Sequence, residues 1–153
     1  MWSTSLPVSS NSRNDFGSHL SNSDFLRRYA RHLLRDARSL ETSKSLPVLR
    51  RIIAMKVMPE LRVTDLYAVR VSLQLKHVLH TLAKELGYGA WELCKKEIDL
   101  CDAAKLDRYR LELGMFGDFQ QNWFADEASA LDWQKVNGGY LVAYGSQTVA
   151  ILA

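Results

Sequence analysis

Four side chains of the types that bind metal ions lie in the middle of the sequence: His77, His80, Cys94 and Cys101. The two histidines are three residues apart, a spacing that places both side chains on one helix face. A zinc site needs three or four converging ligands, usually with a close cysteine or histidine pair at each end. Because the two cysteines do not form a C-x-x-C pair, we expect surface histidines and small buried cysteines, with no metal and no cofactor.

Carboxylates at Glu97, Asp99 and Asp102 are the next candidates for chemistry. Paired carboxylates act as acid and base only where burial drives their pKa values apart, and a cluster at a helix boundary is expected to be solvated. The sequence also contains no G-x-S-x-G, no phosphate-binding glycine loop and no H-E-x-x-H. We therefore expect a protein that is not an enzyme.

Arginines recur at helical spacing along the first predicted helix, opposite its apolar residues. A guanidinium matches the geometry of phosphate and carboxylate oxygens, so this row predicts a surface for an anionic partner, either nucleic acid or an acidic protein. A purely solvated helix face and pairing with an acidic region of the same or another chain remain alternatives. The candidate partner-binding residues are Arg27, Arg28, Arg31, Arg35 and Arg38, extended by Arg50 and Arg51.

The formal net charge is a modest +3, but it is unevenly distributed. Residues 1–80 contain 13 Lys and Arg against 6 Asp and Glu, a net of +7. Residues 81–153 contain 7 against 11, a net of −4. Such asymmetry indicates an interaction surface without choosing among nucleic acid, an acidic protein and self-association.

The segment Leu79–Ile98 has the spacing of a helix-turn-helix. Ala83 would lie where the second helix crosses the first, Gly87 would form the turn, and Leu93 would anchor the second helix. A carboxylate at Glu92, where base-reading side chains usually project, would repel phosphates. If the segment binds nucleic acid, the candidate residues are Gly89, Lys95 and Lys96.

The same segment resembles a small helical module of assorted bacterial proteins, which occurs beside ankyrin-repeat and glyoxalase-like regions. The module has the form L-A-x-E-x-G-F/Y-x-x-W-x-x-L, and the resemblance is carried here by residues 82–88 (LAKELGY), Trp91 and Leu93. It implies no catalytic residue. It implies that Tyr88 and Trp91 fold back over the end of the preceding helix, with Trp91 in a core or a shallow groove.

Apolar periodicity and end signals predict five helices before residue 121. They cover residues 24–39, 45–58, 66–86, 90–98 and 102–113. Ser23 is the expected N-cap of the first helix, while Pro59 and Gly87 end the second and third. Residues 1–22 are rich in Ser and Asn and lack periodicity, so they are predicted to be a disordered tail.

Residues 122–153 are predicted to form a β-α-β-β unit packed on the helices. Its strands cover residues 122–125, 140–144 and 147–152, with a helix at 127–136 and a type II′ turn at Gly145-Ser146. Most of its many aromatic side chains should form the core, with a partner-binding surface as the functional alternative. The last strand, Gln147–Leu152, is a candidate open sheet edge that pairs with a partner.

Composition places this 153-residue chain, 47% hydrophobic, among ordered globular proteins. No apolar run is long enough to span a bilayer, the first residues do not form a secretion signal, and two cysteines are too few for a disulfide framework. The predicted fold is α-rich α+β, with a disordered tail (1–22), a helical domain (23–121) and a β-α-β-β subdomain (122–153). The predicted function is that of a non-enzymatic bacterial cytoplasmic interaction or regulatory protein, which binds a protein, an anionic partner or itself and not a membrane. A DNA-binding transcriptional regulator is the alternative.

Overall fold

Residues 20–152 are described in the computed structural model, and the structural statements below concern that part of the chain. Seven α-helices and a three-stranded antiparallel sheet confirm the predicted α-rich α+β class. The first 19 residues of the predicted tail lie outside the described residues. The chain forms two compact units that meet in sequence between Cys101 and Asp102. Residues 102–121 thus group with the strands, whereas the sequence patterns had grouped them with the helices.

The first unit, Ser21–Cys101, consists of five α-helices and one 3-10 turn. Helix α1 packs against α2, α4 and α5, and the centre of this unit is formed by fully buried leucines such as Leu26, Leu49 and Leu82. The unit carries 15 Lys and Arg against 9 Asp and Glu, a net of +6. The elements are α1 (Asn22–Ala37), α2 (Thr42–Ala54), α3 (Val63–Ala68), the 3-10 turn Arg70–Ser72, α4 (Leu75–Glu85) and α5 (Trp91–Ile98).

The start of α1 is fixed by polar contacts with the end of α5. The Asn22 amide donates to the carbonyls of Ile98 (2.8 Å) and Cys101 (3.0 Å). The backbone N–H and hydroxyl of Ser23 both donate to the Asp99 carboxylate at 2.8 Å. Because the Ser23 hydroxyl is engaged in this way, the N-cap is Ser21, two residues before the predicted one.

The predicted continuous helix over residues 66–86 is wrong, because the chain leaves the helical path between α3 and α4. Leu73 is fully buried in an extended conformation (φ −60°, ψ 141°), which a helix could not provide there. Arginine side chains bind carbonyls of this break, since Arg38 donates to Leu73 and Arg70 donates to Tyr67 (2.8 Å). These hydrogen bonds satisfy backbone carbonyls that would otherwise lose their partner where the helix is interrupted. Arg70 also donates to the Ser39 carbonyl between α1 and α2 (3.2 Å).

The second unit, from Asp102 onward, contains α6 (Asp107–Glu112), α7 (Glu127–Asn137) and strands β1 (Gln120–Phe124), β2 (Tyr140–Tyr144) and β3 (Gln147–Leu152). The strand order is β1-β3-β2, so β3 is central and not the open edge that the sequence predicted. Since β1 and β2 both run antiparallel to β3, they are parallel to each other, and α7 connects them. The open edges are therefore those of β1 and β2.

Local signals in this unit match the structure closely. Gly145 has a φ of +63°, and Ser146 is not among the positive-φ residues, which is the backbone pattern of the predicted type II′ turn. One face of the sheet forms the core of the unit, from Phe116, Tyr140, Val142, Val149 and Ile151 with Leu111 packed against them. Within this unit α6 contacts β2, and α7 contacts β1 and β3.

A buried polar network ties α6 to β2. Asp107, Arg110 and Tyr140 are all at least 94% buried. Arg110 donates to the Asp107 carboxylate (3.0 Å) and to the Ala103 carbonyl (2.6 Å), and the Tyr140 hydroxyl donates to the same carboxylate. The network supplies hydrogen bonds that offset the desolvation of a buried ion pair.

Candidate functional site

The arginines of α1 form a continuous basic face. At about 100° of rotation per residue, Arg27, Arg28, Arg31, Arg35 and Arg38 fall within a sector of roughly 100°, opposite the buried side of the helix. We call these five residues the basic face. Arg28, Arg31 and Arg35 are exposed. Within residues 20–152 these three guanidinium groups form no hydrogen bond or ion pair.

The two ends of the basic face have partners of their own. Arg27 forms an ion pair with Asp24 at 2.8 Å, and its guanidinium carbon lies 5.6 Å from the centre of the Trp91 ring. At the other end, Arg38 donates to the carbonyl of Leu73. The middle of the basic face is therefore the part available to an anion. The N-terminal end of the face, at Arg27, lies beside Trp91.

Arg50 and Arg51, the predicted extension of this face, lie in different environments. Arg50 is exposed on α2. Arg51 points into the helical unit, where it binds the Glu85 carboxylate through two nitrogens (2.9 and 2.7 Å) and donates to the Tyr29 hydroxyl (2.9 Å). The side chains of Arg51 and Glu85 are only 20% and 6% exposed. Arg51 is thus engaged in holding α2, α4 and α1 together.

The α4–α5 corner reproduces part of the helix-turn-helix pattern. Ala83 is fully buried, and Gly87 has a φ of +94°, with the Tyr88 N–H bonding the Ala83 carbonyl at 2.9 Å, as in a Schellman motif. Leu93, the predicted anchor, is 53% exposed, so this assignment is wrong. The anchoring positions are Cys94 and Ile98, both fully buried.

Because Cys94 and Ile98 are the buried residues of α5, most of its other side chains lie on the exposed side of the helix. Counted from Leu82, the form L-A-x-E-x-G-F/Y-x-x-W-x-x-L places its last leucine at position 94, which is a cysteine in this sequence, so Leu93 does not match it. Glu92 lies on the exposed side, beside its ion-pair partner Lys95 at 3.8 Å. Lys96 and Gly89, the other candidate nucleic-acid residues, are also exposed.

A groove of about 380 Å³ lies between α4, the N-terminal turn of α5 and the segment after α2. Its lining is mostly apolar, with two imidazoles and one charge of each sign. The sequence indicated that the histidine pair shares a helix face and that Trp91 lies in a core or a shallow groove. It did not indicate that Val57, eighteen residues before the helix of His77, would line the same groove. The lining residues are Val57, Leu79, Ala90, Trp91, His77, His80, Lys76 and Glu92.

The imidazole of His77, which lines this groove, accepts a backbone hydrogen bond. Its Nδ1 accepts the backbone N–H of Gln74 at 2.9 Å, so the proton of the neutral ring is on Nε2. Burial lowers its pKa below the ordinary value of 6.5, and the neighbouring Lys76 charge lowers it further. The groove therefore offers an apolar cleft and a neutral N–H donor.

The described residues contain no cluster of three His, Cys, Asp or Glu side chains that could hold a metal ion. Cys94 is buried and Cys101 is half-buried, and neither forms a disulfide within the described residues. Among residues 20–152, no helix is at once long enough and apolar enough to cross a membrane.

Of the eight aromatic residues of the second unit, three are buried, three are half-buried and two, Phe119 and Trp123, are exposed. Tyr109, Phe116 and Tyr140 are buried, and Phe124 packs on Trp133 with ring centres 5.5 Å apart. Trp123 is different, because it stays 46% exposed on the edge strand β1, where it meets Tyr144 edge-on at 5.7 Å. The second unit thus exposes aromatic surface at one sheet edge.

Comparison of the chain with protein-family models, with curated proteins and with solved structures finds no match.

Proposed function

We propose that this protein is a non-enzymatic interaction protein whose basic face binds an acidic polypeptide. The observation that carries the proposal is the middle of α1, where Arg28, Arg31 and Arg35 are exposed and form no ion pair within the described residues. Three guanidinium groups spread over about 10 Å of helix can each donate two hydrogen bonds to a carboxylate. A cytoplasmic location with reduced thiols belongs to the same proposal.

Two observations favour a protein over nucleic acid as the partner. First, apolar side chains are exposed close to the arginines in sequence or on the neighbouring α5: Leu40 is 84% and Leu93 53% exposed. Arginine together with apolar surface is the composition typical of protein interfaces. Second, the exposed side of α5 carries Glu92 and Glu97, which would repel the phosphates of DNA in a helix-turn-helix complex.

The test is a titration of the protein against a fluorescent glutamate-rich peptide and, separately, a short DNA duplex. We expect the peptide to bind and its affinity to fall with salt. Replacing Arg28, Arg31 and Arg35 together by Glu should weaken this binding by about a hundredfold, since three lost pairs and three new repulsions at roughly 0.5 kcal/mol each sum to about 3 kcal/mol.

The matched control changes the net charge equally at three exposed lysines outside α1: K44E, K56E and K135E. This control should bind the peptide within about twofold of the unaltered protein, apart from the long-range effect of net charge. Equal losses in both triple variants would refute the basic face as a site. Preferential, salt-dependent binding of the duplex would favour the DNA-binding alternative.

A further inference from the structure

The groove adjoins the basic face through one shared side chain. Trp91 lines the groove, and the guanidinium carbon of Arg27 lies 5.6 Å from the centre of the Trp91 ring. A ligand that follows the basic face toward the start of α1 therefore reaches the groove without crossing another element. The two features can act on one partner.

The lining of the groove defines the group that fits it. Val57, Leu79, Ala90 and the Trp91 indole supply an apolar surface, and the volume of about 380 Å³ exceeds that of any single side chain. The neutral His77 contributes no charge, while Lys76 and Glu92 contribute one charge of each sign. Such a cleft suits a large apolar side chain, and it offers no concentration of positive charge for a phosphate.

The spacing along α1 sets where the charges of the ligand must lie. Arg31 and Arg35 lie about 6 and 12 Å further along the helix than Arg27, at 1.5 Å per residue. An extended peptide advances about 3.3 Å per residue, so its carboxylates would meet these arginines roughly two to four residues beyond the peptide residue that lies beside Arg27.

From this arrangement we infer that the groove is an anchor pocket for a single large apolar side chain, phenylalanine or leucine, followed within a few residues by a run of Asp or Glu in the same peptide. The inference rests on the proposed function of the basic face. It goes further in naming the partner: an acidic linear segment with one apolar anchor. The arginines supply attraction along the helix, and the groove supplies the apolar contact that sets the register of the peptide.

The test uses the full chain and two fluorescent peptides that differ at one position, a phenylalanine or an alanine ahead of an otherwise identical run of glutamates. We expect the phenylalanine peptide to bind about tenfold more tightly, which is the effect of burying part of one aromatic side chain. In isotope-labelled protein it should shift the Trp91 indole N–H resonance, whereas the alanine peptide should not.

A variant pair on α5 separates the groove from general damage to the fold. W91A should remove the tenfold preference and leave the weaker binding of the alanine peptide within about twofold, because the middle of the basic face is unchanged. L93A, an exposed position outside the lining residues, should keep the preference. Unaltered protein already tests the pocket through the indole shift, so a W91A chain that fails to fold does not remove the test.

Each outcome bears on one level of the proposal. Equal affinity for the two peptides, with no indole shift, would overturn the anchor pocket and leave the basic face standing. Failure of both peptides to bind, in the unaltered protein as in the R28E/R31E/R35E variant, would overturn the proposed function itself. If single-stranded oligothymidylate shifts the Trp91 resonance and binds more tightly than either peptide, the occupant of the groove is a nucleobase and the peptide proposal is wrong.

Discussion

Arg50 and Arg51 are adjacent in the sequence, yet the structure gives them opposite roles, and this contrast yields a sharp prediction. Arg51 makes a two-bond ion pair with Glu85, whose side chain is 6% exposed, and a further hydrogen bond to Tyr29. Its guanidinium carbon also lies 5.6 Å from the Tyr29 ring centre. Arg50 lies exposed on the outer side of α2.

The magnitude follows from what the R51A variant takes away. Breaking a fully buried ion pair costs about 3–5 kcal/mol, because one charge remains in a poorly solvated place. Arg51 retains 20% exposure, which allows water to compensate part of that loss. We therefore expect the free energy of unfolding to fall by about 3 kcal/mol, equivalent to roughly 12–24 °C in the melting temperature of a unit of this size.

Urea unfolding followed by circular dichroism and tryptophan fluorescence measures this change. R50A is the matched control and should alter the free energy of unfolding by less than about 0.5 kcal/mol. A double-mutant cycle of R51A with E85A should return a coupling energy of about 1–3 kcal/mol. If the free energy of unfolding of R51A lies within about 0.5 kcal/mol of that of the unaltered protein, the internal role of Arg51 is refuted. Arg51 would then again be a candidate partner-binding residue.

Other consequences concern pH, the second unit and the corner. The free energy of unfolding should fall as the pH drops below 6.5, because burial lowers the pKa of His77 in the folded protein and the unfolded chain takes up the proton first. Urea melts over this pH range should show a smaller change in the H77Q variant. A pH dependence that is the same in H77Q and in the unaltered protein would contradict the assignment. D107N should destabilise the second unit by about 3 kcal/mol in the same assay, since it removes the carboxylate that faces the buried Arg110, and a change under about 0.5 kcal/mol would contradict the network. I98A should cost about 2–4 kcal/mol and L93A less than about 0.5 kcal/mol, and the reverse order would restore the helix-turn-helix register.

Local sequence patterns were sufficient to predict the strands and the turn of the second unit. Strands β2 and β3 have the bounds that the two β-rich runs flanking the Gly145-Ser146 pair predict, whereas β1 begins at Gln120, two residues before its predicted start. The position of β3 between the other strands was not predictable in the same way. It depends on β1 pairing with a strand some thirty residues away, and strand order depends on such non-local pairing and not on local propensity.

The first unit shows the same limit for helices. A regular apolar period across residues 66–86 predicted one helix, but the structure buries Leu73 in extended backbone and binds its carbonyl with Arg38 from α1. A tertiary contact of this kind outweighs helix propensity, and nothing in the local sequence indicates it.

For the candidate site, the sequence predicted which residues share a helix face more reliably than it predicted their burial and their partners. The helical spacing of the α1 arginines was enough to place them on one face, because that spacing is a property of the helix alone. Whether Arg51 or Arg50 points outward depends on where Glu85 lies in the fold. The choice between Leu93 and Cys94 as the buried residue of α5 depends in the same way on the angle at which α5 packs on α4.

The most direct test of the central claim is a reversal of binding preference at the basic face. The unaltered protein should bind a glutamate-rich peptide and not a lysine-rich one, and the R28E/R31E/R35E variant should prefer the lysine-rich peptide by about tenfold. The K44E/K56E/K135E control has the same net charge and should keep the original preference. If both triple variants change preference to the same degree, net charge alone determines binding, and the basic face is not a binding site.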